Sequence, residues 1–254
     1  MTVRAGQALT VACAAAALLM SCAAGVAQPR PSSNAPSCPE PLASARRLVL
    51  VTADGLATSK ASLALFERTA SGGAWRAVGQ VSPAIIGRRG MAWSFAFRQL
   101  AAKGEPVKVD GDKRAPAGIY SIGARFGFAA SNSANYLQLR TGTVCVDDPA
   151  SPAYNTITTR AAVGEKVHGE NMWRVPDYRH GLLVDYPTDR SRRGGSCIFI
   201  HLKLPNKTGT AGCVALEEPA LRALQNFAAP GAVLAILPAH ATSRFGACLQ
   251  GTSR

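Results

Sequence analysis

Short apolar stretches of strand length, each closed off by turn-forming residues, recur along most of the chain and limit its fold more than any other feature. They are RLVLVT from Arg47, SLALFER from Ser62, WRAVGQV from Trp75, GIYSIG from Gly118, YLQLR from Tyr136, GLLVDY from Gly181, CIFIHLKL from Cys197 and GAVLAIL from Gly231. Runs of this length bounded by Gly, Pro, Asn, Asp or Ser form strands, so a mainly β architecture is expected. One helix is predicted from Glu217 to about Phe227. Glu217 and Glu218 suit its positive end, Pro219 its first turn, and Leu221, Leu224 and Phe227 recur at helical spacing. The stretch from Ala150 to Arg179 mixes short-helix and loop signals and receives no assignment. With 47% hydrophobic and 17% charged residues, the chain has material for a sizeable core and is not mainly disordered.

The N-terminus bears on location. Arg4 is the only charge before Arg30, and Ala8 to Ala27 is apolar or small throughout. This is the pattern of an export signal over residues 1–27, with small residues before Gln28 for cleavage. Leu19, Met20, Ser21 and Cys22 offer a second exit, a lipobox in which Cys22 would carry a lipid anchor. A Pro- and Ser-rich linker over 28–42 follows, and a single domain is expected over 43–254. The 28 Lys and Arg against 15 Asp and Glu give a formal charge of +13, which favours anionic surroundings. Outside the cytoplasm that points to an acidic wall polymer and away from nucleic acid.

Seven cysteines, less Cys13 and Cys22 of the signal, leave Cys38, Cys145, Cys197, Cys213 and Cys248. Five is odd, so in an oxidising compartment four pair and one stays a thiol. Four cysteines allow three connectivities. The expected one joins Cys38 to Cys248 and Cys145 to Cys197, with unpaired buried thiols as the alternative. The chain has no CxxC or HExxH motif and its four His are scattered, so no metal or other cofactor is expected.

Cys213 is the best candidate for the spare thiol. It lies in PNKTGTAGCVALEEP, just ahead of the predicted helix, whereas Cys197 opens a strand. Gly212 before it permits close approach of substrate, and backbone N–H groups of this loop, that of Cys213 among them, are expected to converge on an oxyanion. A thiol becomes a nucleophile when a base lowers its pKa. His201, in the strand CIFIHLKL, is the expected base, and His180 is its rival. A half-buried strand histidine without a catalytic role is the alternative for His201.

The stretch IFIHLKLPNKTGTAGCVAL resembles the His and Ser/Thr-x-Gly-Cys signature of the L,D-transpeptidase, or YkuD-type, catalytic domain. Thr210, Gly212 and Cys213 match the motif, and His201 stands at the position of the catalytic His. KVDGDKRAPAGIY is similar to another block of that family through Lys108, Gly111, Asp112, Lys113, Pro116 and Gly118. CVDDP with Tyr154 and Asn155, and DYRHGLLVDY, are similar to a divergent branch. These blocks, in order, cover most of the expected domain.

The resemblance implies a β-sandwich-like fold in which Cys213 attacks an L-to-D peptide bond of a peptidoglycan stem peptide and forms a thioester. His201 would act as general base and then acid, with the Gly212 and Cys213 N–H groups holding the oxyanion. Lys108, Asp112, Lys113 and His180 are the expected substrate contacts. A neighbouring stem amine would turn the thioester into a cross-link, and water would make the protein an L,D-carboxypeptidase or endopeptidase. Many members of the family carry Gly after the catalytic His and Arg two residues after the Cys, where this chain has Leu202 and Ala215. Those departures bear on stem-peptide recognition and leave both outcomes open, with a non-catalytic wall-binding protein as a third.

Overall fold

The computed structural model describes Thr2, residues 38–228 and residues 231–252. The expected export signal, with Cys22, and most of the expected linker lie outside the described residues. Thirteen strands occur among the described residues: β1 (Arg47–Ala53), β2 (Lys60–Glu67), β3 (Arg76–Ile85), β4 (Met91–Trp93), β5 (Ala115–Gly127), β6 (Tyr136–Gln138), β7 (Thr143–Val146), β8 (Ile157–Thr159), β9 (Gly169–Asn171), β10 (His180–Asp185), β11 (Phe199–Leu202), β12 (Val214–Leu216) and β13 (Ala232–Pro238). A single helical turn, α1 (Arg160–Val163), follows β8, and α2 (Glu218–Phe227) follows β12. The protein is therefore mainly β with few helices, and the expected helix forms where its Pro and acidic first turn place it.

The main sheet runs β10-β11-β12-β3-β2-β1-β13-β5, and β10 also pairs with β5, so eight strands form a closed, barrel-like sheet. The sequence reading anticipated a sandwich-like arrangement. The difference arises at β5, whose thirteen residues are long enough to pair with β13 through Gly118 to Ser121 and with β10 through Ser121 to Gly127. β13 is buried at all seven positions and pairs in parallel with β1, which explains a continuous apolar run rather than an alternating one. The unassigned stretch between 150 and 179 contributes β8 and β9, which flank β7 in a separate three-stranded sheet.

Residues before 43 also belong to the domain. Leu42 is fully buried, and Cys38 is disulfide-bonded to Cys248, tying the start of the described fold to its end. Arg68 holds the same turn: its guanidinium donates to the carbonyls of Leu42, Ala43 and Ala45 and stacks over Trp75 at 4.1 Å. The Trp75 indole N–H in turn donates to the Cys248 carbonyl. The expected linker thus ends inside the domain, because a Pro-rich segment with one large apolar residue and one cysteine can be pinned by both. Replacing Cys38 and Cys248 by Ser is expected to cost about 2–5 kcal/mol of stability, measured by urea unfolding followed by circular dichroism.

Candidate active site

Strands β11 and β12 pair in parallel with Ile200 opposite Val214 and His201 opposite Ala215. Side chains alternate along a strand, so this register sorts them onto two faces. Ile200, Leu202, Val214 and Leu216 enter the main core. Phe199 and Cys213 turn to the other face, into a second cluster with Phe126, Leu139, Cys145, Met172 and Tyr178. His201 shares the face of Phe199, two residues away. It is thus a diagonal neighbour of Cys213 on the adjacent strand, a separation of roughly 7 Å between backbones that an imidazole and a thiol can span.

The loop before Cys213 is fastened to the end of β3. Gly87 and Thr210 form a parallel bridge in which Arg88 N–H donates to Thr210 O at 2.9 Å and Thr210 N–H donates to Ile86 O at 2.8 Å. A Cβ on Gly209 would lie 2.6 Å from Arg88 Cα, so this approach requires glycine. The buried Thr210 hydroxyl donates to the Cys213 carbonyl at 2.7 Å and accepts from the Gly212 N–H at 3.1 Å. This corrects the expected role of Gly212, whose N–H is occupied by the threonine rather than aimed at an oxyanion. The Cys213 N–H makes no hydrogen bond within the described residues.

Cys213 is the one free cysteine among the described residues, and Cys145 is bonded to Cys197. Its thiol donates to the Cys197 carbonyl at 3.5 Å and receives the Phe199 N–H at 3.3 Å. Burial pushes the thiol up to about 12, with the carboxylate of Glu170 adding to the rise. The Phe199 N–H, the Tyr178 hydroxyl and the charge of Lys108 oppose it. In the resting protein Cys213 is therefore a neutral thiol in an apolar cluster, and a reaction at this sulfur requires a proton acceptor.

His201 is 5% exposed, and its Nδ1 lies 2.8 Å from the Leu202 carbonyl. A carbonyl only accepts, so Nδ1 carries the hydrogen and Nε2 is left with its lone pair, the tautomer a base needs. Burial lowers the pKa of the ring, opposed by the Leu202 carbonyl and by Asp177, whose Oδ2 is 3.9 Å from Nδ1. No hydrogen bond joins His201 to Cys213 among the described residues. The ring packs edge-on against Tyr178 with centroids 5.3 Å apart.

Both residues line a cleft of about 870 Å³. Loops on the barrel side bring Arg88, Lys113 and Lys207 to it, and the three-stranded sheet with its loops brings Asp147, Asp148 and His168. Of the expected substrate contacts, Lys113 lines the cleft, with a positive φ of 57°. Lys108 also lines it, but its ammonium is buried and donates to Asp112 Oδ1 and to the Val109 carbonyl, both at 2.8 Å. Asp112 does not face the cleft. It caps its own turn by accepting from the Val109 and Arg114 N–H groups. His180 lies outside the cleft beside Arg222 and Glu218, because it opens β10 next to α2. Neither Asp112 nor His180 is therefore brought to the sulfur, and His180 drops out as a rival base.

Sequence reasoning did not single out Tyr178, Glu170 or the Phe199 N–H. Tyr178 sits between charged neighbours in an irregular stretch and the half-buried Glu170 in a three-residue strand, where no periodicity marks either. Asn155 was noted only for the family block it belongs to. Its side chain accepts from the Cys197 N–H at 2.9 Å and donates to the Tyr186 carbonyl at 2.9 Å, fixing the disulfide half that touches Cys213. Among the described residues no group of three or more His, Cys, Asp or Glu is placed to hold a metal ion.

Thr210→Val would leave the Gly212 N–H and the Cys213 carbonyl without their shared partner. It is expected to cost about 1–3 kcal/mol in urea unfolding, with Thr210→Ser restoring most of the loss.

No family model matches the chain, and no curated protein matches it. Among solved structures, the helical cell shape determining protein Pgp2 from Campylobacter jejuni is similar to it at 15% identity and a TM-score of 0.41, over 79% of this chain. The match covers 52% of Pgp2, so the chain spans about half the length of that protein.

Proposed function

We propose that the protein is a cysteine-dependent acyl-transfer enzyme of the L,D-transpeptidase kind, acting on peptidoglycan stem peptides outside the cytoplasm. The observation that carries this reading is an unbridged thiol at Cys213 in the same cleft as a neutral His201 whose free nitrogen is Nε2. The order of His201, Thr210, Gly212 and Cys213 in the sequence supports the same family. Two disulfides support an oxidising location, which agrees with the export signal read at residues 1–27.

In this reaction the Cys213 sulfur attacks the carbonyl carbon of an L-to-D peptide bond, the amine leaves, and a thioester remains on the enzyme. His201 is the acid–base group of the cycle. The oxyanion contact falls to the Cys213 N–H, because Thr210 holds that of Gly212. A single donor of this kind lowers the barrier by about 3 kcal/mol. Arg88, Lys113 and Lys207 offer positive charge to substrate carboxylates in a chain that has Ala215 where related enzymes carry Arg.

The thioester is resolved by a stem amine in a transpeptidase and by water in a carboxypeptidase or endopeptidase. Incubating the protein with a donor stem peptide, with and without an acceptor amine, and weighing the products by mass spectrometry separates the two. Cys213→Ala is expected to abolish both products, and His201→Ala to slow them by about 10²–10⁴-fold. Turnover by Cys213→Ala at the parental rate would contradict the assignment of the nucleophile, and no turnover by the parent would leave wall binding as the function.

A further inference from the structure

Both hydrogen bonds of the Cys213 sulfur run to one short stretch of chain. The thiol donates to the Cys197 carbonyl at 3.5 Å and accepts from the Phe199 N–H at 3.3 Å. These two partners are held in different ways. Phe199 opens β11 and is fixed opposite Leu183 in the ladder with β10. Cys197 lies outside the strands, at a φ of 55° that a residue with a Cβ rarely adopts. Such a backbone persists only where its surroundings over-determine it, and two ties do so here. The disulfide to Cys145 holds the side chain, and the Asn155 side chain accepts from the Cys197 N–H at 2.9 Å. With nitrogen and side chain both fixed, the carbonyl is left one direction, toward the sulfur. Asn155 suits the task. Its own φ is 60°, a conformation asparagine tolerates better than most residues, and its N–H donates at 2.7 Å to the carbonyl of Val146, the last residue of β7. The other half of its amide donates at 2.9 Å to the carbonyl of Tyr186, the residue after β10. One side chain thus ties the three-stranded sheet to the end of β10 and the approach to β11.

We propose that Asn155 is a positioning residue for the nucleophile: through Cys197 it keeps a carbonyl aimed at the Cys213 thiol and so holds the proton on the sulfur in the resting protein. The role rests on the reading of Cys213 as the nucleophile. A hydrogen bond donated by the neutral thiol favours that form over the thiolate, which has no proton to donate. The thiolate is the form that exchanges with disulfides, so a held proton preserves the group in an oxidising compartment. In the reaction the S–H turns from the Cys197 carbonyl to His201 Nε2, the S–H bond breaks and an N–H bond forms on the ring. The Phe199 N–H stays on the sulfur and meets its new negative charge.

The S–H stretching band of Cys213, isolated as the infrared difference between the full-length protein and Cys213→Ala, reads this hydrogen bond, because donation lowers its frequency. The parent band is expected below that of an alkyl thiol in an apolar solvent. Asn155→Gly keeps the left-handed backbone accessible and removes the amide. It is expected to move the band to higher frequency and to speed iodoacetamide labelling of Cys213 at neutral pH by about 2- to 10-fold. Asn155→Asp retains an acceptor for the Cys197 N–H and is expected to keep the parent band. A merely structural role would lower stability in both variants and leave the band in place. Four results would overturn the proposal: a parent band at the frequency of an unbonded thiol, a band unmoved in Asn155→Gly, a band moved as far in Asn155→Asp, or labelling of Asn155→Gly no faster than that of the parent. Asn155→Ala also removes the amide and gives the same reading if Asn155→Gly does not fold. Neither measurement uses a stem peptide, so failure to process stem peptides would count against the proposed function and not against this placement of the proton.

Discussion

The parallel pairing of β11 with β12 is the constraint from which the candidate site follows. Its register sends Ile200, Leu202, Val214 and Leu216 into the main core and leaves Phe199, His201 and Cys213 on the opposite face. The four core residues fix the two strands in depth and register, since a slip of one residue would turn every side chain to the wrong side. The chemistry is therefore anchored by apolar packing that takes no part in it. The Thr210 bridge to β3 adds a third point of attachment directly before the sulfur.

On the outer face, the sulfur needs a cover to be shielded from water, and β7 to β9 with the turn Pro176–Arg179 provide one. The Cys145–Cys197 disulfide fastens this cover to the residue two places before β11. Asn155 secures the same point through the Cys197 N–H, where the backbone takes a positive φ of 55°. The outcome is an apolar pocket that keeps the thiol protonated at rest, with His201 neutral beside it. Reactivity then depends on where the proton can go rather than on a standing thiolate.

The sequence made the strands of the main sheet legible where apolar runs were long and bounded by Gly or Pro, as at Arg47 and Gly231. It made α2 legible through Pro219 and its acidic start. The odd cysteine marked Cys213, because counting pairs needs no knowledge of the fold. The closed sheet was not legible, since it depends on which partners β5 finds along its length. Tyr178 and Glu170 were not legible either: each is an isolated polar residue in a short or irregular element, and only three-dimensional packing brings Tyr178 into the cluster of Cys213 and Glu170 to the Tyr178 hydroxyl. His180 and Asp112 show the converse. Their residue types and positions suited a site, yet α2 draws off the first and a local turn the second.

The central claim is that the Cys213 sulfur becomes covalently acylated. It is tested most directly by rapid acid quenching of the protein with a donor stem peptide, followed by intact-mass measurement and peptide mapping. The account predicts a mass increase equal to the acyl fragment, carried on the peptide that contains Cys213 and released by hydroxylamine, as a thioester is. Turnover with no such adduct, or an adduct mapped to another residue, would contradict it.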